Sequence, residues 1–331
     1  METKEEYKDI YSKILSKNTN IKPIDHIVVM KGFEGFCDRL QVLSDCIEYC
    51  NKNNCHLCVD WRDSLWGQEH KDFSDYFRID TVYRASIDDA IQLIKNGGSV
   101  FPPWTIEELK EPLKDATHYA KKDISFNGNY TKLPYSVIVH NCTGNRTYHA
   151  KNIISGMSLL PSIASIIKAR IANIKNPYTT VHLRTTDRII VGRDAPDRII
   201  NIVKFALKKF ARIPDANKMN VVVLSDSANA KQEFIRLASL AYPKSYITSV
   251  KHNIDLLPEH TAGTHQLSPS YLSEKNITKH NLNIDTLTDF IILCLSDCSV
   301  FNNIKSLFSS MPNFIKDNSE KYAIRRWLNS Y

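Results

Sequence analysis

The sequence predicts an α/β fold built from two domains. Its 331 residues are more than one small hydrophobic core needs, so two domains of ordinary size are expected. Apolar runs of strand length alternate with amphipathic stretches of helix length, first from residue 25 and again from residue 178. We place the N-terminal domain at 1–165 and the C-terminal domain at 166–331.

A strand, a turn, a helix and a second strand follow one another near the N-terminus. Residues 25–30 form an apolar run of strand type, and Gly32 and Gly35 permit a tight turn after it. Apolar side chains then recur at helical spacing over 38–52, and residues 55–61 are again strand-like. This order predicts a βαβ unit with two parallel strands.

The middle of the chain is less regular than its two ends. We predict a helix at 86–96, a short helix at 106–113 and a strand at 136–140. A further helix at 159–174 could bridge the two domains.

The C-terminal half repeats the alternation of strands and helices. Residues 221–224 are continuously apolar, as expected for a parallel strand that is buried on both faces. The predicted strands are 179–183, 221–224, 245–250 and 298–301, and the predicted helices are 198–210, 230–240, 287–295 and 306–311.

Charge and hydropathy limit the class of protein. The net charge of +7 comes from 43 basic and 36 acidic side chains spread along the chain. This pattern is typical of a solvated basic surface or of a preference for anionic substrates or anionic lipid surfaces, and it contains no concentrated nucleic-acid patch. The N-terminal residues lack the apolar core of a signal peptide, and apolar runs such as 290–295 are too short to span a membrane. We therefore expect a cytoplasmic protein, with peripheral membrane association left open.

The eight cysteines are expected to be reduced thiols because no secretory signal precedes them. Cys55 and Cys58 have CxxC spacing, but no second CxxC follows at the spacing of a zinc ribbon. Structural thiols on a buried strand are the favoured interpretation, and a zinc site is the alternative.

One short segment concentrates groups that suit phosphate. His182 lies at the end of a predicted strand, and Arg184, Thr186, Asp187 and Arg188 follow it, where open α/β sheets place ligand-binding groups. The guanidinium of Arg184 is planar and permanently charged, and it matches phosphate oxygens. The segment predicts a site for a phosphorylated leaving group, and a surface Arg–Asp pair is the structural alternative.

Three further segments could contact a phosphate or a nucleoside. Gly35 precedes a helix whose N–H groups and dipole favour an anion, Asp226 ends a strand, and Ser309 and Ser310 open a helix. Each segment also has a structural interpretation, which is a plain tight turn at Gly35, helix capping within Ser225-Asp226-Ser227 and helix capping at Ser309 and Ser310.

The N-terminal half offers polar residues that could orient an acceptor. Asp60 and Asp63 end the second strand, and surface salt bridges are the alternative role for them. Asp38 and Arg39 follow the glycine turn, and Trp104 lies in a Pro-Pro-Trp loop.

In their order along the chain, these motifs resemble the superfamily of fucosyltransferases that use GDP-fucose. The resemblance covers about residues 25–315 and is closest to the α-1,6-fucosyltransferases, including the rhizobial Nod-factor enzymes, with the protein-O-fucosyltransferases more distant. The matching residues are Gly35, Phe36 and Leu40 of a GFGxxL-type turn, His182, Arg184, Thr186 and Asp187 of an HxRxTD-type motif, Asp226, Gly263 to His265, Asp289, Asp297, Phe308, Ser309 and Ser310. Two positions depart from the pattern, since Cys37 stands for the second glycine and Thr185 for a second arginine.

The resemblance implies a GT-B fold, in which two Rossmann-like domains face a central cleft. It also implies inversion at the anomeric carbon and no cofactor or divalent metal beyond the nucleotide-sugar donor. The absence of an Asp-x-Asp motif agrees with that expectation. The implied donor-binding residues are Gly35, His182, Thr186, Asp187, Arg188, Asp226, His265, Asp289, Ser309 and Ser310, and the implied acceptor side contains Asp38, Arg39, Asp60, Asp63 and Trp104.

We expect Arg184 to neutralise the charge that develops on the leaving phosphate. Asp194 is our candidate for the general base, with Asp197, Asp38 and Asp63 as rivals. The expected reaction is transfer of fucose to a glycan acceptor. Use of a different nucleotide sugar and a non-catalytic nucleotide- or glycan-binding role are the alternatives.

Overall fold

The computed structural model describes residues 23–33, 35–63, 66–67, 72–113, 124, 126, 128–141, 153–154, 156–185, 198–257, 267–301, 307–317 and 321–329. Two parallel sheets organise this part of the chain, one in each half.

The N-terminal half is organised around a five-stranded parallel sheet. Its strands are β1 (Ile27–Lys31), β2 (His56–Asp60), β4 (Tyr83–Arg84), β5 (Val100–Phe101) and β6 (Val137–Asn141), in the spatial order β4-β2-β1-β6-β5. A separate antiparallel pair is formed by β3 (Phe77–Ile79) and β7 (Met157–Leu159). The helices of this half are α1 (Phe36–Asn53), α2 (Ile87–Lys95) and α3 (Ile106–Lys110).

The predicted βαβ unit at the N-terminus is confirmed. β1 and β2 are parallel neighbours, with Ile27 opposite His56 and Lys31 opposite Asp60, and α1 connects them. The helix is buried almost all round, including its polar residues Arg39 and Asp45. This happens because C-terminal helices cover the side of α1 that the sheet leaves open.

The helix α4 (Pro161–Ile171) leads from the N-terminal half to the second sheet. Leu160 precedes it and Pro161 takes its first position, which suits a residue without an N–H group. The boundary that we place between residues 165 and 166 falls inside α4, and the division into domains stays a prediction.

The C-terminal half contains a four-stranded parallel sheet. Its strands are β8 (Thr179–Leu183), β9 (Asn220–Ser225), β10 (Tyr246–Ser249) and β11 (Cys298–Phe301), in the order β10-β9-β8-β11. The helices are α5 (Arg198–Phe210), α6 (Ala228–Ala241), α7 (Pro269–Ser273), α8 (Lys279–Leu295), α9 (Leu307–Asp317) and α10 (Lys321–Asn329).

Alternate residues of β9 point to opposite faces of this sheet. Val221 and Val223 pack with α5 and α6, whereas Val222 and Leu224 pack with Ile292 of α8. The continuous apolar sequence of β9 therefore reflects helices on both faces, as predicted.

The C-terminal helices also pack against the N-terminal half. Asn283 of α8 donates hydrogen bonds to the carbonyl of Trp66 and to the hydroxyl of Tyr76, at 2.9 and 3.0 Å. Trp327 of α10 donates its indole N–H to the carbonyl of Ile154. The buried core of the first half is thus continuous with α8, α9 and α10.

None of the described helices combines the length and the apolar character needed to cross a membrane.

Candidate functional site

Three neighbouring strands of the C-terminal sheet end at one edge, and polar side chains follow them. His182 lies at the end of β8 with Arg184 just beyond it, Asp226 follows β9, and His252 follows β10. Because these strands are parallel neighbours, the side chains collect at the carboxyl edge of the sheet. The structure thus brings together the predicted residues His182, Arg184 and Asp226. It also places His252, which the sequence did not predict, at the same edge.

His182 joins strand β8 to the start of helix α9. Its ring is buried, and its Nδ1 lies 3.3 Å from the hydroxyl oxygen of Ser309. The ring of Phe308 packs against it, with 5.7 Å between the centroids. Burial lowers the pKa of His182, although the carboxylates of Asp289 and Asp226 act in the opposite direction. The shift favours the neutral imidazole, which offers hydrogen bonds rather than charge.

Arg184 is held at the edge of the sheet by Asp226. Its Nε lies 3.7 Å from Oδ2 of Asp226, and 16% of the arginine side chain is exposed. The other carboxylate oxygen, Oδ1, accepts hydrogen bonds from the backbone N–H and the hydroxyl of Thr185, at 2.8 and 2.7 Å. Asp226 thus fixes the segment after β8 and presents the partly exposed guanidinium.

Thr185 is the position at which the sequence departs from the motif it resembles, where a second arginine is expected. Its side chain is fully buried. The threonine therefore fixes the loop, and its side chain offers no second cation at this position.

The serines around Asp226 have structural contacts. Ser225 donates its hydroxyl to the carbonyl of Leu183 at 2.8 Å, and Ser227 accepts from the N–H of Ala230 as the N-cap of α6. The capping interpretation is confirmed for Ser227. Ser310 is exposed, and its hydroxyl donates to the carbonyl of Leu307 at 3.4 Å.

His252 forms a second histidine contact at this edge, one that our sequence reasoning missed. Its Nε2 lies 2.5 Å from Oδ1 of Asp289 on α8, a residue that the sequence predicts in the donor site. The side chain of His252 is 2% exposed and that of Asp289 is 13% exposed. The indication available in the sequence was a histidine two residues beyond the predicted strand 245–250.

Charged groups from three elements surround His252. Burial lowers its pKa, but Asp289 and Asp285 of α8 outweigh burial and the nearby ammonium of Lys231, so the net pKa is raised. Lys231 of α6 is itself paired with Asp255. Asp285 accepts hydrogen bonds from Asn253 and from the N–H of Ile254, and it also pairs with Arg170 of α4.

In the N-terminal half, Asp60 belongs to a buried ion network. Lys31 Nζ lies 2.8 Å from its Oδ2, and Arg62 donates to both carboxylate oxygens. Burial raises the pKa of Asp60, but Arg62 and Lys31 outweigh it and the net pKa is lowered. The ring of Trp104 lies 5.9 Å from Lys31 Nζ and is buried. Contact of Asp60 or Trp104 with an acceptor stays a prediction.

Arg39 and Asp63 form a second buried ion pair. The two guanidinium N–H groups donate to the two carboxylate oxygens at 2.6 and 2.8 Å, and the side chains are 1% and 0% exposed. The alternative of a surface salt bridge is wrong for Asp63 because this pair is enclosed. Trp61 and Trp66 flank the guanidinium at 5.3 and 5.8 Å.

Close packing around this ion pair accounts for Gly32. A Cβ atom placed there would lie 2.2 Å from a guanidinium nitrogen of Arg39 and 2.6 Å from the ring of Trp61. Lys279 of α8 is also buried nearby, and burial lowers its pKa to about 8 although Asp63 opposes the shift. Asp63 and Arg39 can therefore influence an acceptor only through the groups that cover them.

Gly35 is the N-cap of α1, with φ and ψ of −59° and 161°. These angles are open to other residues, so a positive φ does not explain this glycine. Asp38 lies in the first turn of the same helix and is buried. The predicted anion contact at Gly35 stays a prediction.

Five predicted site residues lie outside the described residues: Thr186, Asp187, Arg188, Asp194 and His265. The rival base Asp197 lies outside them as well.

The described cysteines are free thiols. Cys55 and Cys58 are buried, and burial raises the pKa of Cys58 to about 12, which disfavours its thiolate. Within the described ranges, no three His, Cys, Asp or Glu side chains are grouped closely enough to hold a metal ion.

The fold is shared with solved fucosyltransferases, although no protein-family model and no curated protein matches the chain by sequence. A structure of fucosyltransferase NodZ from Bradyrhizobium gives a TM-score of 0.58 at 17% identity, covering 87% of this chain and 93% of that one. NodZ alpha-1,6-fucosyltransferase soaked with GDP-fucose gives 0.56 at 17% identity, covering 87% and 91%. POFUT1 in complex with GDP-fucose gives 0.52 at 15% identity, covering 88% and 94%.

These similarities confirm the predicted fold class. Identities of 15–17% establish the architecture alone. The chain has the GT-B fold of these fucosyltransferases, an α/β architecture of two Rossmann-like domains that face a central cleft.

Proposed function

We propose that the protein is an inverting glycosyltransferase that transfers fucose from GDP-fucose to a glycan hydroxyl without a divalent metal. The observation that carries the proposal is the grouping of His182, Ser309, Arg184 and Asp226 at the carboxyl edge of the second sheet. NodZ and POFUT1 share the fold and were solved with GDP-fucose. We place the reaction in the synthesis of a surface polysaccharide or glycoconjugate in the cytoplasm.

The reaction is displacement of GDP by an acceptor hydroxyl. The C–O bond to the β-phosphate breaks, and negative charge develops on the phosphate oxygen. Arg184 is positioned by Asp226 and partly exposed, so its guanidinium can neutralise that charge without reorganising. A preorganised cation of this kind contributes about 100-fold to 1,000-fold in rate.

His182 and Ser309 would orient the donor next to Arg184. Burial favours the neutral imidazole, which can exchange hydrogen bonds with a ribose or phosphate without adding charge. We keep Asp194 as the proposed base that takes the acceptor proton, since Asp63 is committed to Arg39. Inversion follows because the hydroxyl attacks the anomeric carbon opposite the departing phosphate.

A thermal-shift panel of GDP, UDP, ADP and CMP tests the donor class, with EDTA present in a parallel series. We expect GDP alone to raise the melting temperature, by an amount that grows with its concentration, and EDTA to leave the shift unchanged. Stabilisation by UDP alone, or a GDP shift abolished by EDTA, would contradict the proposal.

A GT-B enzyme for a different nucleotide sugar is the second candidate. Thr185 favours it, because its buried side chain supplies no second cation to the diphosphate. The same thermal-shift panel distinguishes GDP-fucose from a donor that carries another nucleotide. A non-catalytic nucleotide- or glycan-binding protein would instead bind GDP without transferring sugar to any acceptor.

A further inference from the structure

Helix α5 and the turn after it carry an unbalanced positive charge. Residues 198–214 contain five basic side chains and no acidic one, whereas the whole chain has a net charge of +7. The five are Arg198, Lys204, Lys208, Lys209 and Arg212. This segment, which lies between Asp197 and Asp215, therefore carries a net charge of +5.

The charges lie on the outer side of the helix. Val203, Ala206 and Phe210 are buried against the sheet. Lys204 and Lys208 are exposed and four residues apart, so they lie along one line facing away from that core. The exposed Arg212 follows in the turn after the helix.

The C-terminal end of helix α6 lies beside this segment. The rings of Phe210 and Tyr242 meet edge to face at 5.1 Å, which places the C-terminal ends of α5 and α6 side by side. There Leu240 is 73% exposed. The carboxylate of α6, Glu233, is paired with Arg236 on the same helix, so it does not offset the lysines of α5.

We propose that this surface, defined by Lys204, Lys208, Arg212 and Leu240 and here named the basic face, docks the protein on an anionic membrane. The argument is charge complementarity, since basic side chains near an anionic lipid surface attract it additively. Lysine stems can lie along the interface while their ammonium groups meet the headgroups, and an exposed leucine can enter the acyl boundary.

Docking on the basic face leaves the candidate site open. α5 and α6 cover one face of the sheet and α8 covers the other. α5 runs back along the sheet between the parallel strands β8 and β9, so Arg212 lies toward the edge opposite His182 and Asp226. The inference is independent of the donor sugar.

Co-sedimentation with vesicles tests the proposal. The full chain is mixed with vesicles of phosphatidylcholine alone and with vesicles of phosphatidylcholine and phosphatidylglycerol. One variant carries Lys204→Gln, Lys208→Gln and Arg212→Gln, and a matched control carries Lys95→Gln, Lys110→Gln and Lys132→Gln. Both remove three exposed cations, so their net charges are equal.

We expect the unaltered protein to bind the mixed vesicles and to dissociate from them as the salt concentration increases. It should not bind vesicles of phosphatidylcholine alone. Each cation contributes about fivefold, so the first variant should bind on the order of 100-fold more weakly, while the control binds as the unaltered protein does. Leu240→Ser should weaken binding by roughly threefold to tenfold without changing its salt dependence.

An equal loss of vesicle binding in the control variant would mean that binding depends only on net charge, and it would overturn the assignment to this face. Failure of the unaltered protein to bind the mixed vesicles would overturn it as well. So would tighter binding to heparin or double-stranded DNA that is lost in the first variant. Melting temperature and the GDP shift are measured on every variant. If a variant loses vesicle binding but keeps its melting temperature and its GDP shift, the loss is due to the basic face and does not bear on the proposed function.

Discussion

The imidazole of His252 and the carboxylate of Asp289 meet at 2.5 Å, which ties the end of β10 to the middle of α8. The first turns of α8 contact the N-terminal half through Asn283, and its later turns carry Asp289. One helix therefore connects the packing of the first half to the carboxyl edge of the second sheet. A displacement of α8 would therefore change both the packing of the N-terminal half and the carboxyl edge of the second sheet.

This contact should make stability depend on pH. The folded state raises the pKa of His252, so the protonated pair stabilises the fold fully below the unfolded histidine pKa of about 6.5. That stabilisation is lost as the pH rises through the folded pKa. We expect Asp289→Asn to lower the melting temperature more at about pH 6 than at about pH 9. The control Asp297→Asn alters an exposed carboxylate near the end of α8. An equal decrease at both pH values for Asp289→Asn would contradict the pairing.

Thr185 should contribute to stability through its hydroxyl. Thr185→Val keeps the shape but removes one donor to Asp226, and its side chain is buried. We expect a loss of about 1–3 kcal/mol in the free energy of unfolding, measured by urea denaturation. Thr185→Ser retains the hydroxyl and should lose less. If the serine variant is the weaker of the two, the hydrogen bond is not what fixes the loop.

The pair of Arg39 and Asp63 should show strong coupling. Arg39→Met leaves a buried carboxylate without its cation, which costs about 3–5 kcal/mol. Combining it with Asp63→Leu removes the stranded charge, and we expect part of the stability to return. Urea denaturation of the two single variants and the double variant gives the coupling free energy. Additive losses would mean that the two groups do not act as a pair.

Much of the fold could be predicted from hydrophobic periodicity. The strand 179–183 and the helix 198–210 have the predicted limits, because β-branched residues mark the strand and a clear apolar stripe marks the helix. The helix at 287–295 was predicted too short, since α8 begins at Lys279 with Thr278 as its N-cap. Its first turns are polar because they face ion pairs and hydroxyls of the other half, and such a partner is invisible in local sequence.

The candidate site was predictable to a similar degree. His182 lies at the end of a strand, and Arg184 and Asp226 directly follow strands, so the rule for parallel sheets locates them. His252 was missed because its partner Asp289 lies 37 residues away on a helix. Asp63 looked like a surface residue because charged side chains are seldom enclosed. Only the assembled fold shows that Arg39 and two tryptophans surround it.

The most direct test of the account is sugar transfer by the Arg184→Ala variant. Release of GDP from GDP-fucose is measured with a panel of glycan acceptors, using Arg236→Ala as the control because that arginine pairs with Glu233 on the surface of α6. The account predicts transfer by the unaltered protein and the control, and a decrease of roughly 100-fold or more for Arg184→Ala at an unchanged melting temperature. Full transfer by Arg184→Ala would contradict it.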